Sequence, residues 1–278
     1  MGEVKRKQET RETVLRHNPL CCFCGDTATT VDHCPPRSLF RKRQWPEDFQ
    51  FSACQKCNSQ ARLDDQLIAV LLRVSLKKKT DDEHNEWASL VDGLRNNQPA
   101  VLEEWAKSTP AANKRLFRER FGSDADVLRY AGYGTLSVGP LTKSALQRFV
   151  VRLAQALYYR HCGEALDGVV YVFHLDPFAP KLRDGGLQDL LKFVPRLELP
   201  TRSGSSLQEQ FHYRFNCSDE VGALSAIVRF SEQMIFQVLA VRRSAFDEIE
   251  RRASAGDTPR WESGIQIRLR KPVQPAVN

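Results

Sequence analysis

Hydrophobic positions in the middle of the chain recur with the period of an α-helix. The segment LTKSALQRFVVRLAQALYYRHC, residues 141–162, carries its apolar residues on one stripe: Leu146, Phe149, Val150, Leu153 and Leu157. Gly163 follows at the position of a C-terminal cap. Residues 63–76, LDDQLIAVLLRVSL, have the same spacing of apolar residues. The pattern therefore predicts one helix in each segment.

The last third of the chain has the hydrophobic pattern of strands. Four runs are apolar throughout or alternate with polar residues: 168–175, 211–215, 226–230 and 234–241. The last two of these predict an antiparallel pair, and the tail GIQIRLRKP predicts a final strand. Residues 82–121 predict short helices that Pro99 and Pro110 separate. Strands that follow helices indicate the α+β class, with a mainly antiparallel sheet and helices packed on it.

A Gly-containing connection over residues 122–140 marks the best candidate domain boundary. We therefore expect an N-terminal module over residues 1–79 and a helical connector over residues 80–140. The remaining residues, 141–278, then form an α+β domain that determines the target or regulates the protein. The length of 278 residues agrees with more than one domain.

The balance of charges changes along the chain. The net charge is +7, and residues 1–79 hold 15 basic and 9 acidic side chains, so this first third contributes +6. An excess of this kind attracts the phosphate backbone of nucleic acid, although a solvated basic surface has the same composition. The amino terminus is charged and no apolar run approaches the ~18 residues of a membrane span, so we expect a cytoplasmic protein without membrane contact.

Two pairs of cysteines have the spacing of a metal site. Cys21 and Cys24 form one C-x-x-C motif, Cys54 and Cys57 form a second, and 29 residues lie between them. Four thiolates suit a tetrahedral Zn²⁺, and a site with four protein ligands is structural because no position stays open for a substrate. A redox dithiol or a chance pairing is the alternative. The other four cysteines are expected to be bystanders: Cys22, Cys34, Cys162 and Cys217.

The residues between and beside these motifs resemble a known family. The order C-x-x-C-G, D-H-x-x-P-x-S and C-x-x-C-N is similar to the zinc-knuckle class of HNH endonucleases, and most similar to the endonuclease VII type. The matching residues are Cys21, Cys24, Gly25, Asp32, His33, Pro36, Ser38, Cys54, Cys57 and Asn58. The resemblance covers residues 21 to about 65. It implies a ββα-metal fold, a metal-dependent nuclease activity, and Asn58 as a ligand of the catalytic metal.

The chemistry of the side chains supports separate roles for Asp32 and His33. Consecutive residues of a strand point to opposite faces, so these two side chains are poorly placed to bind one ion together. A carboxylate suits Mg²⁺, whereas an imidazole can take a proton from water at neutral pH. We expect Asp32 to bind Mg²⁺ or Mn²⁺ and His33 to act as the general base. Asn58 completes the metal site or simply caps a helix.

Basic residues follow the Asp-His pair directly. The run RSLFRKR supplies four candidate phosphate contacts: Arg37, Arg41, Lys42 and Arg43. Two positions depart from the family pattern. Many relatives have an Asn before the second knuckle, where this chain has Asp48 or Phe49. The basic residue often found after the final Asn is Ala61 here, with Arg62 beside it.

These observations together predict an HNH endonuclease that hydrolyses DNA, with structural Zn²⁺ and catalytic Mg²⁺ or Mn²⁺. Two alternatives stay open: a non-catalytic zinc module that binds nucleic acid, and a toxin-like nuclease that cleaves RNA. The expected partner is DNA or RNA, and a homodimer or an operon-encoded partner also fits. A role in genome defence, phage DNA processing or a mobile element fits one such module equally well.

Overall fold

The computed structural model describes residues 11–73, 80–107, 109–130, 138–175, 186–231, 234–254 and 265–268. Helices occupy much of the first two thirds of these residues. They are α1 (residues 11–17), α2 (Gln55–Leu71), α3 (Asp81–Asn97), α4 (Pro99–Ala106), α5 (Pro110–Phe121), α6 (Ala125–Tyr130), α7 (Pro140–Cys162), α8 (Leu187–Lys192) and α9 (Arg243–Ser254). None of the helices in these described ranges is long and apolar enough to span a membrane.

The N-terminal part has the order strand, strand, helix. Strand β1 (Thr30–His33) pairs antiparallel with β2 (Gln50–Ala53), and α2 follows directly. The helix begins earlier than the apolar spacing of residues 63–76 suggests, because the Cys54 side chain accepts a hydrogen bond from the Cys57 N–H and caps it. Residues 74–76 of that predicted helix lie outside the described residues.

Helices α3 to α5 begin where local signals place them. Thr80 and Glu83 form a reciprocal capping box at the start of α3. Pro99 and Pro110 occupy the first turns of α4 and α5, where the missing N–H of proline has no cost. The predicted short helices over residues 82–121 are therefore confirmed. Residues 131–137, inside the expected domain boundary, lie outside the described residues.

A six-stranded sheet forms the C-terminal half. Its strands are β3 (Gly168–Leu175), β4 (Arg196–Glu198), β7 (Phe211–Ser218), β8 (Ala223–Phe230), β9 (Met234–Arg242) and β10 (Ile265–Arg268). The order across the sheet is β10-β3-β9-β8-β7-β4, and every neighbouring pair is antiparallel. A separate hairpin consists of β5 (Thr201–Arg202) and β6 (Ser205–Ser206). The α+β class with a mainly antiparallel sheet is confirmed.

Helices cover both faces of this sheet. Successive residues of β3 alternate between the two sides: Val170 and Val172 belong to the core that includes α7, whereas Val169 packs with Phe246 of α9. Helix α7 ends at Gly163, whose left-handed φ of 77° suits the C-terminal cap that the sequence predicts.

The N-terminal part packs directly on the sheet. Phe49, just before β2, lies edge-to-face against Phe211 and Tyr213 of β7, with ring centroids 5.5 and 6.2 Å apart. Helix α7 lies between α2 and the sheet and contacts both. One continuous cluster of buried residues therefore extends from the first C-x-x-C motif to the sheet.

Candidate functional site

Four cysteine sulfurs lie close together where the two C-x-x-C motifs, here called the first and second knuckle, meet. Cys21 and Cys24 lie in a turn before β1, which the Gly25 N–H closes by donating to the Cys21 carbonyl at 2.8 Å. Cys54 and Cys57 lie at the start of α2. The four sulfurs are all within 4.8 Å of one another, and those of Cys24 and Cys54 are 3.7 Å apart.

The sulfur geometry fits a tetrahedral metal site. Zn–S bonds of about 2.3 Å in a tetrahedron place the sulfurs about 3.8 Å apart. A hydrogen bond from Cys57 lowers the pKa of Cys21 to about 5, while the same bond raises the pKa of Cys57. Burial raises the pKa of Cys24 to about 12. Neighbouring thiolates repel one another unless a cation lies between them, so the cluster can hold a structural metal such as zinc.

Asp32 is buried and already in contact with a cation of the protein. Its Oδ1 accepts a hydrogen bond of 2.8 Å from the His33 N–H, and its Oδ2 contacts the guanidinium of Arg152 in α7. The Arg152 guanidinium also contacts Asp65 of α2 at 3.3 Å. Burial lowers the pKa of Arg152 to about 10, which leaves it charged at neutral pH. Any divalent cation that binds Asp32 must therefore share the carboxylate with Arg152 or displace the Arg152 guanidinium from it.

A polar face of α7 joins the helix to the N-terminal part. Residues 148, 152, 155 and 159 are spaced so that they lie on one side of a helix. Arg148 forms a two-bond pair with Asp64 at 2.6 and 2.8 Å. Gln155 donates to the carbonyl of Phe23 at 2.8 Å, next to the first knuckle. This face therefore fixes both α2 and the cysteine cluster relative to the sheet.

His33 lies on the other side of β1, in a cationic and aromatic environment. Arg37 Nη2 is 2.7 Å from His33 Nε2, and the Trp45 ring stands edge-on to the imidazole at 5.5 Å between centroids. Because arginine only donates, Nε2 accepts this bond and the proton of neutral His33 resides on Nδ1. Burial, together with the charges of Arg37 and Arg202, lowers the pKa of His33 to about 3. His33 is therefore unprotonated at neutral pH.

Asn58 folds back from α2 onto β1. Its Nδ2 donates to Thr30 Oγ1 at 3.0 Å. Thr30 and Asp32 are two residues apart on the strand and so face the same side. The amide thus joins the side of β1 that carries Asp32, and its Oδ1 is not needed for the bond to Thr30. A simple cap is not its role, because Cys54 caps this helix.

The basic run divides into different environments. Arg37 lies beside His33, as described above, whereas Arg41 forms a 2.9 Å ion pair with Glu83 of α3. Lys42 is exposed, with a positive φ of 52°. The side chain of Arg43 lies outside the described part of the chain. Arg37 is therefore the member of the run that the fold brings to His33.

The structure shows the surroundings of the two positions that depart from the family pattern. Asp48 adopts a left-handed φ of 60° in the turn before β2, and its carbonyl accepts a 2.8 Å hydrogen bond from Arg160 of α7. Among residues that have a Cβ, Asp and Asn tolerate this conformation best. Ala61 is buried and Arg62 is exposed. The loop is thus ordered from α7.

Sequence reasoning missed Arg152, Arg202, Trp45 and Asp65. Arg152 and Arg202 lie 94 and 144 positions beyond Asn58, the last residue of the motif, and no local pattern marks either of them. Asp65 carried a usable signal, because two acids interrupt the apolar residues that follow the second knuckle.

Comparison of the chain with protein-family models, with curated proteins and with solved structures gives no significant match. The resemblance to HNH endonucleases therefore rests on the motif residues themselves.

Proposed function

We propose that the protein is a metal-dependent endonuclease of the HNH type that hydrolyses phosphodiester bonds of DNA. The observation that carries the proposal is the pairing of Asn58 with Thr30. This bond brings an amide from the second knuckle to the side of β1 that holds Asp32, while His33 faces away from it. A carboxylate, an amide and a histidine in these positions match the division of labour that phosphodiester hydrolysis requires.

The four cysteines are assigned to structural Zn²⁺, because sulfur ligands in this geometry prefer zinc and leave no open position. The catalytic ion is Mg²⁺ or Mn²⁺, for which Asp32 and Asn58 provide the hard oxygen donors that such ions favour. When bound, this ion stabilises negative charge on the scissile phosphate and the departing 3′ oxygen. The chemical type of these donors suits such an ion, provided that the Arg152 guanidinium moves away from one oxygen of the Asp32 carboxylate.

His33 performs the proton transfer in this proposal. It takes a proton from the attacking water at Nε2, which becomes available when Arg37 turns from the imidazole to the phosphate. Arg37 then balances the charge of the phosphate that the nucleophile approaches. The products carry a 5′ phosphate and a 3′ hydroxyl.

The test is cleavage of supercoiled plasmid by the wild type and the His33→Ala variant, with and without added Mg²⁺ or Mn²⁺. We expect the wild type to nick or linearise the plasmid only with added metal, and His33→Ala to lose this activity while zinc content persists. His174→Ala is the matched control, because His174 is an exposed histidine of β3. Cutting by His33→Ala at the wild-type rate would overturn the general-base assignment.

A second candidate function is a non-catalytic zinc module that binds nucleic acid. The contacts of Arg152 with Asp32 and of Arg37 with His33 favour it, since both candidate catalytic groups already have partners. A wild type that binds nucleic acid and one zinc, yet cuts neither plasmid nor RNA with either metal, would establish this alternative. Cutting of RNA alone, in a parallel digest, would instead change the substrate of the proposed nuclease.

A further inference from the structure

Two arginines distant in sequence share one tryptophan ring beside His33. The guanidinium carbon of Arg37 lies 3.9 Å from the centroid of the Trp45 ring, and that of Arg202 lies 4.1 Å from it. Both distances are typical of cation–π contacts. The two guanidinium groups therefore stand no more than about 8 Å apart. Trp45 in turn contacts the His33 ring.

The hairpin that carries Arg202 is fixed to the loop that carries Trp45. The Glu47 N–H donates to the Thr201 carbonyl at 3.0 Å, and the Ser203 N–H donates to Glu47 Oε1 at 2.9 Å. The turn of the hairpin uses Ser203 and Gly204, both with positive φ. The residues of β5 and β6 are exposed or half-buried, so the hairpin adds nothing to the core. Its clearest structural effect is to bring Arg202 to Trp45.

Arg202 adds a positive charge beside the Trp45 ring. Arg202 has no carboxylate partner among the residues that the structure describes. The nearest acid of the loop, Glu47, is exposed and its Oε1 already accepts from the hairpin backbone. A guanidinium without a carboxylate partner, placed next to a second cation, is stabilised by an anion nearby. A binding site for an anion accounts for this arrangement.

We propose that Arg202 binds a backbone phosphate of nucleic acid and, together with Arg37 on the same Trp45 ring, forms a phosphate clamp beside His33. Contact with the indole positions each guanidinium, whose N–H groups can donate to phosphate oxygens in pairs. The ligand class is a polyphosphodiester. This inference deepens the proposed function and rests on it, because it assigns to the same site a contact from the C-terminal half.

The test measures the binding of a fluorescently labelled 20-base-pair DNA duplex of mixed sequence, by anisotropy at a series of salt concentrations without added Mg²⁺ or Mn²⁺. We expect Arg202→Gln to weaken binding several-fold and to reduce the slope of log affinity against log salt by about one. Arg202→Lys keeps the charge and should retain most of the slope with lower affinity. The matched control is Arg214→Gln, since Arg214 of β7 is half-buried like Arg202, and its Nη1 donates to the Pro195 carbonyl.

The outcomes separate this inference from the nuclease proposal. A wild type that binds DNA with a steep salt slope, together with an Arg202→Gln variant of the same slope and affinity, would overturn the clamp alone. An equal loss of DNA affinity in Arg214→Gln would also overturn the clamp, because the affinity would then depend on the total charge of the protein and not on the position of Arg202. If Arg202→Gln fails to fold, Arg202→Lys decides, since wild-type affinity in that variant contradicts paired donation by a guanidinium. A wild type that does not bind DNA overturns the clamp and the proposed function together.

Discussion

The N-terminal part, from the first knuckle to the end of α2, and the C-terminal sheet are stabilised by different means. In the N-terminal part the buried positions include Cys21, Cys22, Cys54, Asp32 and Asp64. In the sheet, the buried side chains are almost entirely apolar or aromatic, and Phe211 stacks on Phe230 with centroids 5.0 Å apart. The first region combines an apolar core with buried sulfur and charge, whereas the second depends on apolar burial alone.

The two regions should therefore respond to different changes in the surroundings of the protein. Thiolates and ion pairs respond to metal, pH and salt, whereas an apolar core responds mainly to the removal of volume. Helix α7 contacts both regions and has a face for each. It presents Phe149 and Leu153 to the shared core, and Arg148, Arg152 and Gln155 to the N-terminal part.

Removal of one cysteine ligand should produce the largest effect. Structural zinc contributes on the order of 10 kcal/mol to the folding of small zinc domains. We therefore expect Cys54→Ser to lose bound metal and to lower the melting temperature more than any substitution in the sheet. Metal content by mass spectrometry and a thermal melt would show this. Cys217→Ser, a half-buried cysteine outside the cluster, is the control, and equal behaviour of both variants would contradict the four-sulfur site.

A cavity in the sheet should reduce the stability of the protein less than the loss of a cysteine ligand does, and it should leave the metal bound. Phe230 is 1% exposed and contacts Phe149 of α7 and Phe211. Phe230→Ala should lower the free energy of unfolding by about 3–5 kcal/mol, because it removes apolar contacts and leaves a cavity. Urea denaturation measures this loss, and metal content should stay at the wild-type value. Loss of metal in this variant would remove the distinction between the two regions.

Arg152 tests the polar contact that connects the regions. Arg152→Met keeps much of the side-chain volume but leaves Asp32 and Asp65 without their cation, so we expect a loss of about 3 kcal/mol in the free energy of unfolding. Adding Asp65→Asn should recover part of this loss. A double-mutant cycle in urea measures the coupling, and strictly additive effects would show that the pair contributes nothing.

The smallest expected effect is a dependence on pH at His33. Its pKa in the folded protein is about 3, against an ordinary value of 6.5, because burial and the charges of Arg37 and Arg202 disfavour protonation. The unfolded chain thus binds the extra proton first, and stability is lost as pH falls below about 6.5. Between pH 6.5 and 5.5 we expect the wild type to lose about 1 kcal/mol more than His33→Gln. Both proteins release metal as the pH falls, so this effect cancels in the comparison of wild type with His33→Gln. If the free energy of unfolding of the two proteins changed equally with pH, the assignment of His33 as a buried neutral histidine would be contradicted.

The sequence predicted most of what depends on neighbours along the chain. The helices that begin at Pro99 and Pro110, the cap at Gly163 and the strands β3, β7, β8, β9 and β10 follow from local propensity and from the period of apolar residues, whereas β4 carried no such signal. The cysteine cluster was also predictable, because thiol chemistry and C-x-x-C spacing leave few other arrangements. The roles of Asp32, His33 and Asn58 as catalytic residues stay predictions that the plasmid experiment tests.

The partners of these residues were decided only by the tertiary structure. Arg152 reaches Asp32 because α7 lies between α2 and the sheet, and Arg202 reaches Trp45 because a hairpin docks on the loop of Glu47. Each pair is separated by more than 100 residues, and no periodicity within one element encodes such a distance. Local sequence thus specified which chemical groups the site contains. The packing of distant elements determined which charges surround those groups, because Coulomb interactions depend on separation in space.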